Sequence, residues 1–240
     1  MKSGKPIATL ILSLVAVCGI LVGPARSQSG VSPRWSSTFP AEEFANTGST
    51  PYFVLEPGYT LELTGTDNGA TAVLTITVLD ETKMVDGVET RVVEERQVDD
   101  RELVEVALNY FVIGTRTGTV YYFGENVDNY ANGEVINHNG TWLSGVDGAR
   151  YGVLLPGLFL LGSRYYQEVA PGIALDRAEN MSATEIVETP AGTFTDCLKV
   201  RESTPLEPSV RDFKYYAPGI GLVQSNKLVL TSRTGRDPGQ

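Results

Sequence analysis

The stretch Thr75–Glu95, TITVLDETKMVDGVETRVVEE, indicates the fold most directly. At its centre is the dipeptide Asp86-Gly87, which readily takes the positive φ angles of a two-residue hairpin turn. The flanking arms, Thr75–Val85 and Val88–Glu95, are rich in β-branched residues that favour strands. The stretch therefore predicts a β-hairpin.

Similar strand and turn signals continue along the chain. Tyr59–Gly65 alternates apolar and polar residues, as a half-buried strand does. Further strands are predicted at Ala70–Asp80, Leu103–Ile113, Thr119–Gly124, Glu134–His138, Arg164–Val169, Glu185–Glu188, Phe194–Thr204, Val210–Tyr216 and Leu222–Thr231. Only Glu42–Ala45 and Asp176–Ser182 suggest helical turns. The sequence thus predicts a mainly β protein of one domain: a curved antiparallel sheet or a partly closed β-barrel with little helix.

The amino-terminal residues have the pattern of an export signal. Lys2 and Lys5 precede the apolar run Ile7–Val22, and small residues follow it, with cleavage expected after Ala25 or Ser27. A retained anchor and a lipidated Cys18 are the alternatives. The predicted organisation is a signal peptide at 1–27, a flexible leader at 28–50, an antiparallel β domain at 51–233 and a disordered tail at 234–240. We expect export to the periplasm or the extracellular space, with no transmembrane segment after cleavage, because no later apolar run approaches the roughly 20 residues of a span.

Charge and cysteine content restrict the partners and cross-links of the mature chain. The full sequence has a net charge of −10. Removing residues 1–27 removes Lys2, Lys5 and Arg26, and leaves 16 Lys and Arg against 29 Asp and Glu, a net charge of −13. Such a surface repels nucleic acid, so no nucleic-acid partner is expected. Cys197 has no cysteine partner after residue 27, which excludes an intramolecular disulfide.

The residues available for catalysis or metal binding are few. His138 is the sole histidine and lies between two Asn-Gly turns, where a polar hairpin residue is expected. Cys197 lies in an alternating strand and is expected to be buried and inert. One histidine and one cysteine do not complete a zinc site without several carboxylates. We therefore predict no catalytic residue, no metal and no cofactor.

Aromatic residues provide the candidate binding site. We expect one face of the curved sheet to hold an apolar or amphiphilic small molecule against Tyr122, Phe123, Trp142, Tyr166 and Tyr216. The alternative is that these rings form the hydrophobic core and leave no space for a ligand. The predicted function is a non-enzymatic exported binding protein.

Two other functions remain open. A carbohydrate-active enzyme would need a pair of carboxyl groups in one cleft, drawn from Glu125, Asp128, Asp147 and Glu168. The third possibility is a structural or protein-interaction module of the cell envelope, with no small ligand.

Several sequence blocks, taken in order, resemble a family of exported bacterial proteins that has no assigned activity. The blocks are Val85–Arg96, Tyr122–Tyr130, Trp142–Ala149, Tyr166–Gly172, Thr189–Phe194 with Asp196–Leu198, Thr204–Pro208 and Lys214–Val223. This resemblance implies export and supplies no catalytic residues. The turn Ala191-Gly192 and the closing strand Tyr216–Val223 are also similar to periplasmic half-barrels of the lipoprotein-carrier type, which implies a curved sheet.

Overall fold

The computed structural model describes residues 31–32, 34–67 and 69–235. The predicted signal peptide and the last five residues of the predicted tail lie outside this range. In chain order the strands are β1 (Phe44–Ala45), β2 (Ser49–Thr50), β3 (Phe53–Val54), β4 (Thr60–Asp67), β5 (Ala70–Val85), β6 (Val88–Asp99), β7 (Glu102–Gly114), β8 (Val120–Ala131), β9 (Glu134–Asn137), β10 (Trp142–Leu143), β11 (Arg150–Leu155), β12 (Arg164–Tyr166), β13 (Glu168–Val169), β14 (Arg177–Thr189), β15 (Gly192–Ser203), β16 (Asp212–Ala217), β17 (Gly221–Ser225) and β18 (Leu228–Thr234).

Most of these strands form one antiparallel sheet that curls into a nearly closed barrel. Its order is β12-β14-β15-β16-β17-β18-β4-β5-β6-β7-β8-β11-β13, and the short strands β1, β9 and β10 pair at its side. The pairing of β4 with β18 joins the two halves of the chain. The predicted class, a mainly β and partly closed barrel, is confirmed.

The hairpin predicted at Asp86-Gly87 is present. Val85 pairs with Val88 across the turn, whose residues Asp86 and Gly87 have φ values of 51° and 77°. Positive φ at both positions matches the right-handed twist of the two strands. The long ladder between β5 and β6 therefore starts from a local sequence signal.

The two predicted helical turns are wrong. Phe44–Ala45 is a short strand that pairs with β7, and Arg177 opens the long strand β14. Ala178 and Asn180 are buried, with 0% and 1% of their surface exposed, between the neighbouring strands. Pairing on both sides outweighs the helix preference of such a segment.

One seam of the barrel has no ladder across it. Strands β12 and β13 are consecutive in the chain and are separated by Gln167 alone; β12 pairs with β14, and β13 pairs with β11. The backbone N–H of Gln167 donates a hydrogen bond to the backbone carbonyl of Asp176 at 2.8 Å. The seam thus lies where the chain turns from one edge strand to the other.

Residues 34–45, here named the strap, lie over this seam and over the outer face of β8. Ser36 forms a parallel bridge with Tyr165, and the Trp35 ring lies 4.6 Å from the guanidinium of Arg177. Further along, Phe44 packs edge-on against Tyr121 at 5.3 Å. The sequence predicts a loose leader here, whereas the described part of it contacts the barrel, because its aromatic residues cover outward-facing rings.

None of the residues that the structure describes forms a helix of the length and hydrophobicity needed to cross a membrane.

Candidate functional site

A small apolar cavity lies against the inner face of the barrel. Its volume is about 60 Å³. Its apolar wall includes Phe53, Tyr59, Val78, Phe111, Tyr216 and Leu222. This volume accommodates a few water molecules or a short aliphatic group, but not a whole lipid.

One end of the cavity is polar. Side chains two positions apart on a strand share a face. On three strands, an apolar residue of the wall lies two positions from a polar one. The pairs are Val93 and Glu95, Phe111 and Asn109, and Tyr216 and Lys214. The cavity therefore combines an apolar wall with a polar end.

Lys214 and Glu202 form a buried ion pair at this polar end. The Lys214 ammonium lies 2.9 Å from the Glu202 carboxylate, and 4% and 5% of the two side chains are exposed. The side-chain amide of Gln167 also donates a hydrogen bond to the Glu202 carboxylate, at 2.8 Å. Burial lowers the pKa of Lys214, but the charges of Glu202, Tyr216 and Glu95 and the hydrogen bond to Glu202 together outweigh it, and the net shift is upward. The ammonium is therefore charged and already engaged.

Two further glutamates are buried with unused oxygen atoms. Oε2 of Glu95 and both carboxyl oxygens of Glu168 have no hydrogen-bond partner among the described residues. Burial raises the pKa of Glu95 to about 8, against the lowering effect of Lys214. Burial, followed by the charges of Asp176 and Glu125, raises the pKa of Glu168 well above its ordinary value. Both carboxyl groups favour their protonated form near neutral pH.

A β-bulge brings Glu125 into the same interior. Along β8, Tyr122 pairs with Phe111 and Glu125 pairs with Asn109, so three positions on β8 match two on β7. The extra residue is accommodated at Gly124, whose φ is 132°. Without this bulge, alternation would place Tyr122 and Glu125 on opposite faces. With it, both are fully buried, with 0% exposed.

The five aromatic residues predicted to bind ligand occupy different places. Tyr216 lines the cavity. Tyr122 stacks on Phe111 at 4.7 Å and meets the Trp142 ring at 5.4 Å, so these two belong to the core beside the cavity. Phe123 faces the other way and stacks on Tyr151 at 4.6 Å. Tyr166 belongs to a separate small cluster under the strap.

The four carboxylates of the alternative acid cluster separate into two groups. Glu125 and Glu168 lie in the interior, where their charges interact. Asp128 lies on the surface, 2.7 Å from Nδ1 of His138, and 44% of its side chain is exposed. Asp147 is exposed at a turn, with a φ of 50°. The structure thus joins one pair and separates the other two residues.

A second and larger cavity of about 230 Å³ lies near Trp142. Its wall includes Trp142, Val146, Asp147, Pro171 and Ile173. It is an open depression between loops, and Asp147 is the acidic residue in its wall. It therefore lacks the deep polar end of the first cavity.

The remaining candidates for catalysis or metal binding, Cys197 and His138, are single residues. Cys197 is free and buried, and burial raises the pKa of its thiol. Among the described residues, no three His, Cys, Asp or Glu side chains are grouped so that they could hold a metal ion. His138 is 70% exposed beside Asp128.

Sequence reasoning missed Glu95, Asn109, Lys214 and Glu202. Glu95 stands in the run Val-Val-Glu-Glu-Arg-Gln, where both faces of the strand carry charge, so alternation does not reveal which face is internal. Lys214 stands between aromatic residues in Phe213–Tyr216, which was a usable signal of a buried position. Its partner Glu202 becomes evident only from the pairing of β15 with β16.

No family model, no curated protein and no solved structure matches this chain. The resemblance to exported bacterial proteins therefore stays a prediction.

Proposed function

We propose that the protein is an exported, non-enzymatic binding protein that holds an amphiphilic small molecule in the barrel cavity. One observation supports this most: a single cavity has an apolar wall at Phe53, Val78 and Phe111 and a polar end at Glu95 and Lys214. A ligand with one apolar chain and one polar head matches this division. Glu125 and Glu168 are not part of the cavity wall, so the cavity itself favours binding over glycoside cleavage.

The hairpin of β2 and β3 acts as the movable wall in this proposal. It forms a two-stranded sheet of its own and places Phe53 edge-on against Phe111 at 5.6 Å. The Gly219 amide donates to the Pro51 carbonyl at 2.7 Å and holds the hairpin to the barrel. Displacing Phe53 would lengthen the cavity, which lets a chain longer than the resting volume enter.

Titration calorimetry with octanol tests the binding proposal. Octanol supplies one alkyl chain and one hydroxyl group, and we expect measurable heat and a raised melting temperature. The variant Val78→Phe places a phenyl ring in the cavity, because Val78 is 3% exposed and lines it. We expect it to weaken octanol binding by about tenfold or more, since the ring occupies the binding volume.

The matched control is Thr77→Phe, which adds a ring on the other face of the same strand. It should bind octanol as the original protein does. Equal octanol binding by Val78→Phe and Thr77→Phe would refute the proposal, and so would the failure of octanol and of the corresponding amine and carboxylate to bind the original protein. Circular dichroism checks that both variants fold.

Export is tested separately by expressing the full sequence in a bacterium and fractionating the cells. We expect the protein outside the cytoplasm, with an intact mass that corresponds to cleavage after Ala25 or Ser27. A full-length cytoplasmic product would contradict this part of the proposal.

A further inference from the structure

We propose that the polar end of the cavity selects a ligand whose head group is a protonated primary amine, with Glu95 as its carboxylate partner. This inference rests on the proposed function and specifies the chemical class of the ligand.

Buried oxygen atoms near the polar end of the cavity lack hydrogen-bond donors among the described residues. Buried oxygens without a partner among the described residues include Oε2 of Glu95, Oε1 of Gln167 and both carboxyl oxygens of Glu168. Glu95 is the one of these three that lines the cavity, and it is 9% exposed. A buried acceptor gains most from a ligand that donates.

The Lys214 cation at this end already has an anionic partner, and the two nearby amides also have acceptors. The Lys214 ammonium pairs with Glu202, and the Gln167 amide donates to the same carboxylate. The Asn109 amide donates to the Val93 carbonyl at 3.4 Å, and its oxygen accepts from the Tyr122 hydroxyl at 2.5 Å. A carboxylate head group could accept from the proton of Glu95 or from Lys214, but it would share the Lys214 charge with Glu202.

The charges at this end also favour a cationic head group over an anionic one. Lys214 interacts electrostatically with Glu202, Glu95 and Glu168, and Glu168 also interacts with Glu125. An anionic head would add a second negative charge near Glu202. An alcohol would bring one donor without charge, and a primary ammonium would bring three donors and a positive charge. The arrangement therefore favours amine over alcohol and alcohol over carboxylate.

Binding of an ammonium also requires a proton to leave. Glu95 holds a proton near neutral pH because burial raises its pKa to about 8. An ammonium beside it favours the carboxylate form, so the complex is a carboxylate–ammonium pair and one proton passes to the solvent. This release is measurable as a dependence of the calorimetric heat on the ionisation enthalpy of the buffer.

The test compares octylamine, octanol and sodium octanoate by calorimetry at pH 7. We expect octylamine to bind at least about tenfold more tightly than octanol, as a charge-assisted hydrogen bond allows, and octanoate to bind most weakly. If octanol or octanoate binds as tightly as octylamine, amine selection is refuted while cavity binding stands. If none of the three binds, both proposals fail.

Paired variants identify the carboxyl group responsible. In Glu95→Gln we expect the ratio of octylamine to octanol affinity to fall about tenfold, and the proton release to disappear. Glu94→Gln removes the neighbouring glutamate, which is only half-buried and points to the other face, and should keep the ratio. An unchanged ratio in Glu95→Gln overturns the assignment of Glu95. Octylamine binding that survives Val78→Phe would show attraction to the acidic surface and would equally overturn it. Thermal denaturation confirms that each variant is folded.

Discussion

The ammonium of Lys214 lies 2.9 Å from the carboxylate of Glu202 inside the barrel, where 4% and 5% of their side chains are exposed. Two such charges lose their hydration on folding. The ion pair itself and the hydrogen bond from the side-chain amide of Gln167 to Glu202 replace the lost contacts with water. Loss of either member would leave the other charge buried without its partner.

Removing one member of this pair should destabilise the fold strongly. Lys214→Met leaves Glu202 buried beside other carboxyl groups, and we expect the free energy of unfolding to fall by about 3–5 kcal/mol. Urea denaturation measures this loss. The control is Lys199→Met, whose ammonium lies 5.0 Å from the Phe213 ring on the partly exposed face; its cost should be about 1 kcal/mol or less. Equal costs for the two variants would contradict the importance of the buried pair.

Stability should decrease as the pH rises from mildly acidic to mildly alkaline values. Burial raises the pKa of Glu95 to about 8 and the pKa values of Glu105 and Asp176 to about 7. Between the unfolded pKa of about 4 and these values, the folded chain holds protons that the unfolded chain has released, so raising the pH favours unfolding. Glu42 and Glu179 act in the opposite sense below about pH 4.5, because hydrogen bonds and arginines outweigh burial and lower their pKa values.

Melting temperatures across pH measure this dependence. We expect the maximum at about pH 5 and a clear decrease by about pH 8. Glu105→Gln should flatten the alkaline side, whereas Glu134→Gln, on the exposed strand β9, should not. A stability that rises steadily from pH 5 to pH 8 would refute the assignment of these protons.

The β8 bulge should tolerate no side chain at Gly124. A Cβ atom there would lie 2.4 Å from the Trp142 carbonyl oxygen, and the φ of 132° is itself unfavourable for other residues. Gly124→Ala should therefore cost more than Gly192→Ala, where φ is 141° and no atom lies within 4 Å of the added Cβ. Because the two φ values are similar, this control isolates the backbone penalty. Equal losses of melting temperature would show that the approach of Trp142 has no energetic effect.

Trp35 should control local opening of the seam. Its ring lies 4.6 Å from the Arg177 guanidinium and 6.5 Å from the Tyr166 ring, and the Tyr166 amide donates to the Ser36 carbonyl at 2.8 Å. In Trp35→Ala we expect hydrogen exchange at the Tyr166 amide to accelerate by about tenfold or more, because the strap loses its anchor. Trp35→Phe retains a ring and should exchange more slowly than Trp35→Ala.

The Val93 amide, in the middle of β6, is the internal reference for this measurement. Its exchange should be unchanged. Acceleration at Val93 as large as that at Tyr166 would mean that Trp35 supports the whole barrel rather than the seam.

The sequence predicts features that depend on neighbouring residues better than features that depend on residues far apart in the chain. The hairpin at Asp86-Gly87 is encoded by residues in direct succession, and it forms where expected. The strap was not predicted, because a Ser- and Pro-rich segment with scattered aromatics shows its packing only when Tyr121 and Tyr166 are in place. Local rules thus give the class of fold and the turns.

The site required information that local rules do not contain. Glu125 follows a run of aromatic residues in the sequence, but its inward direction depends on a bulge, and a shift of one residue inverts a strand's faces. The approach of Lys214 to Glu202 depends on how β15 and β16 align. Tyr216 alone among the predicted ligand residues lines the cavity, since the others face the core, the outer surface or the strap.

The contact between β4 and β18 sets the order in which the molecule can be completed. The Thr231 hydroxyl donates to the Glu62 carbonyl across 169 positions of sequence. During synthesis, the edge of β4 stays without β18 until the 169 positions up to Thr231 have been made. We expect this pairing to form late, because joining distant segments costs more chain entropy than closing a hairpin.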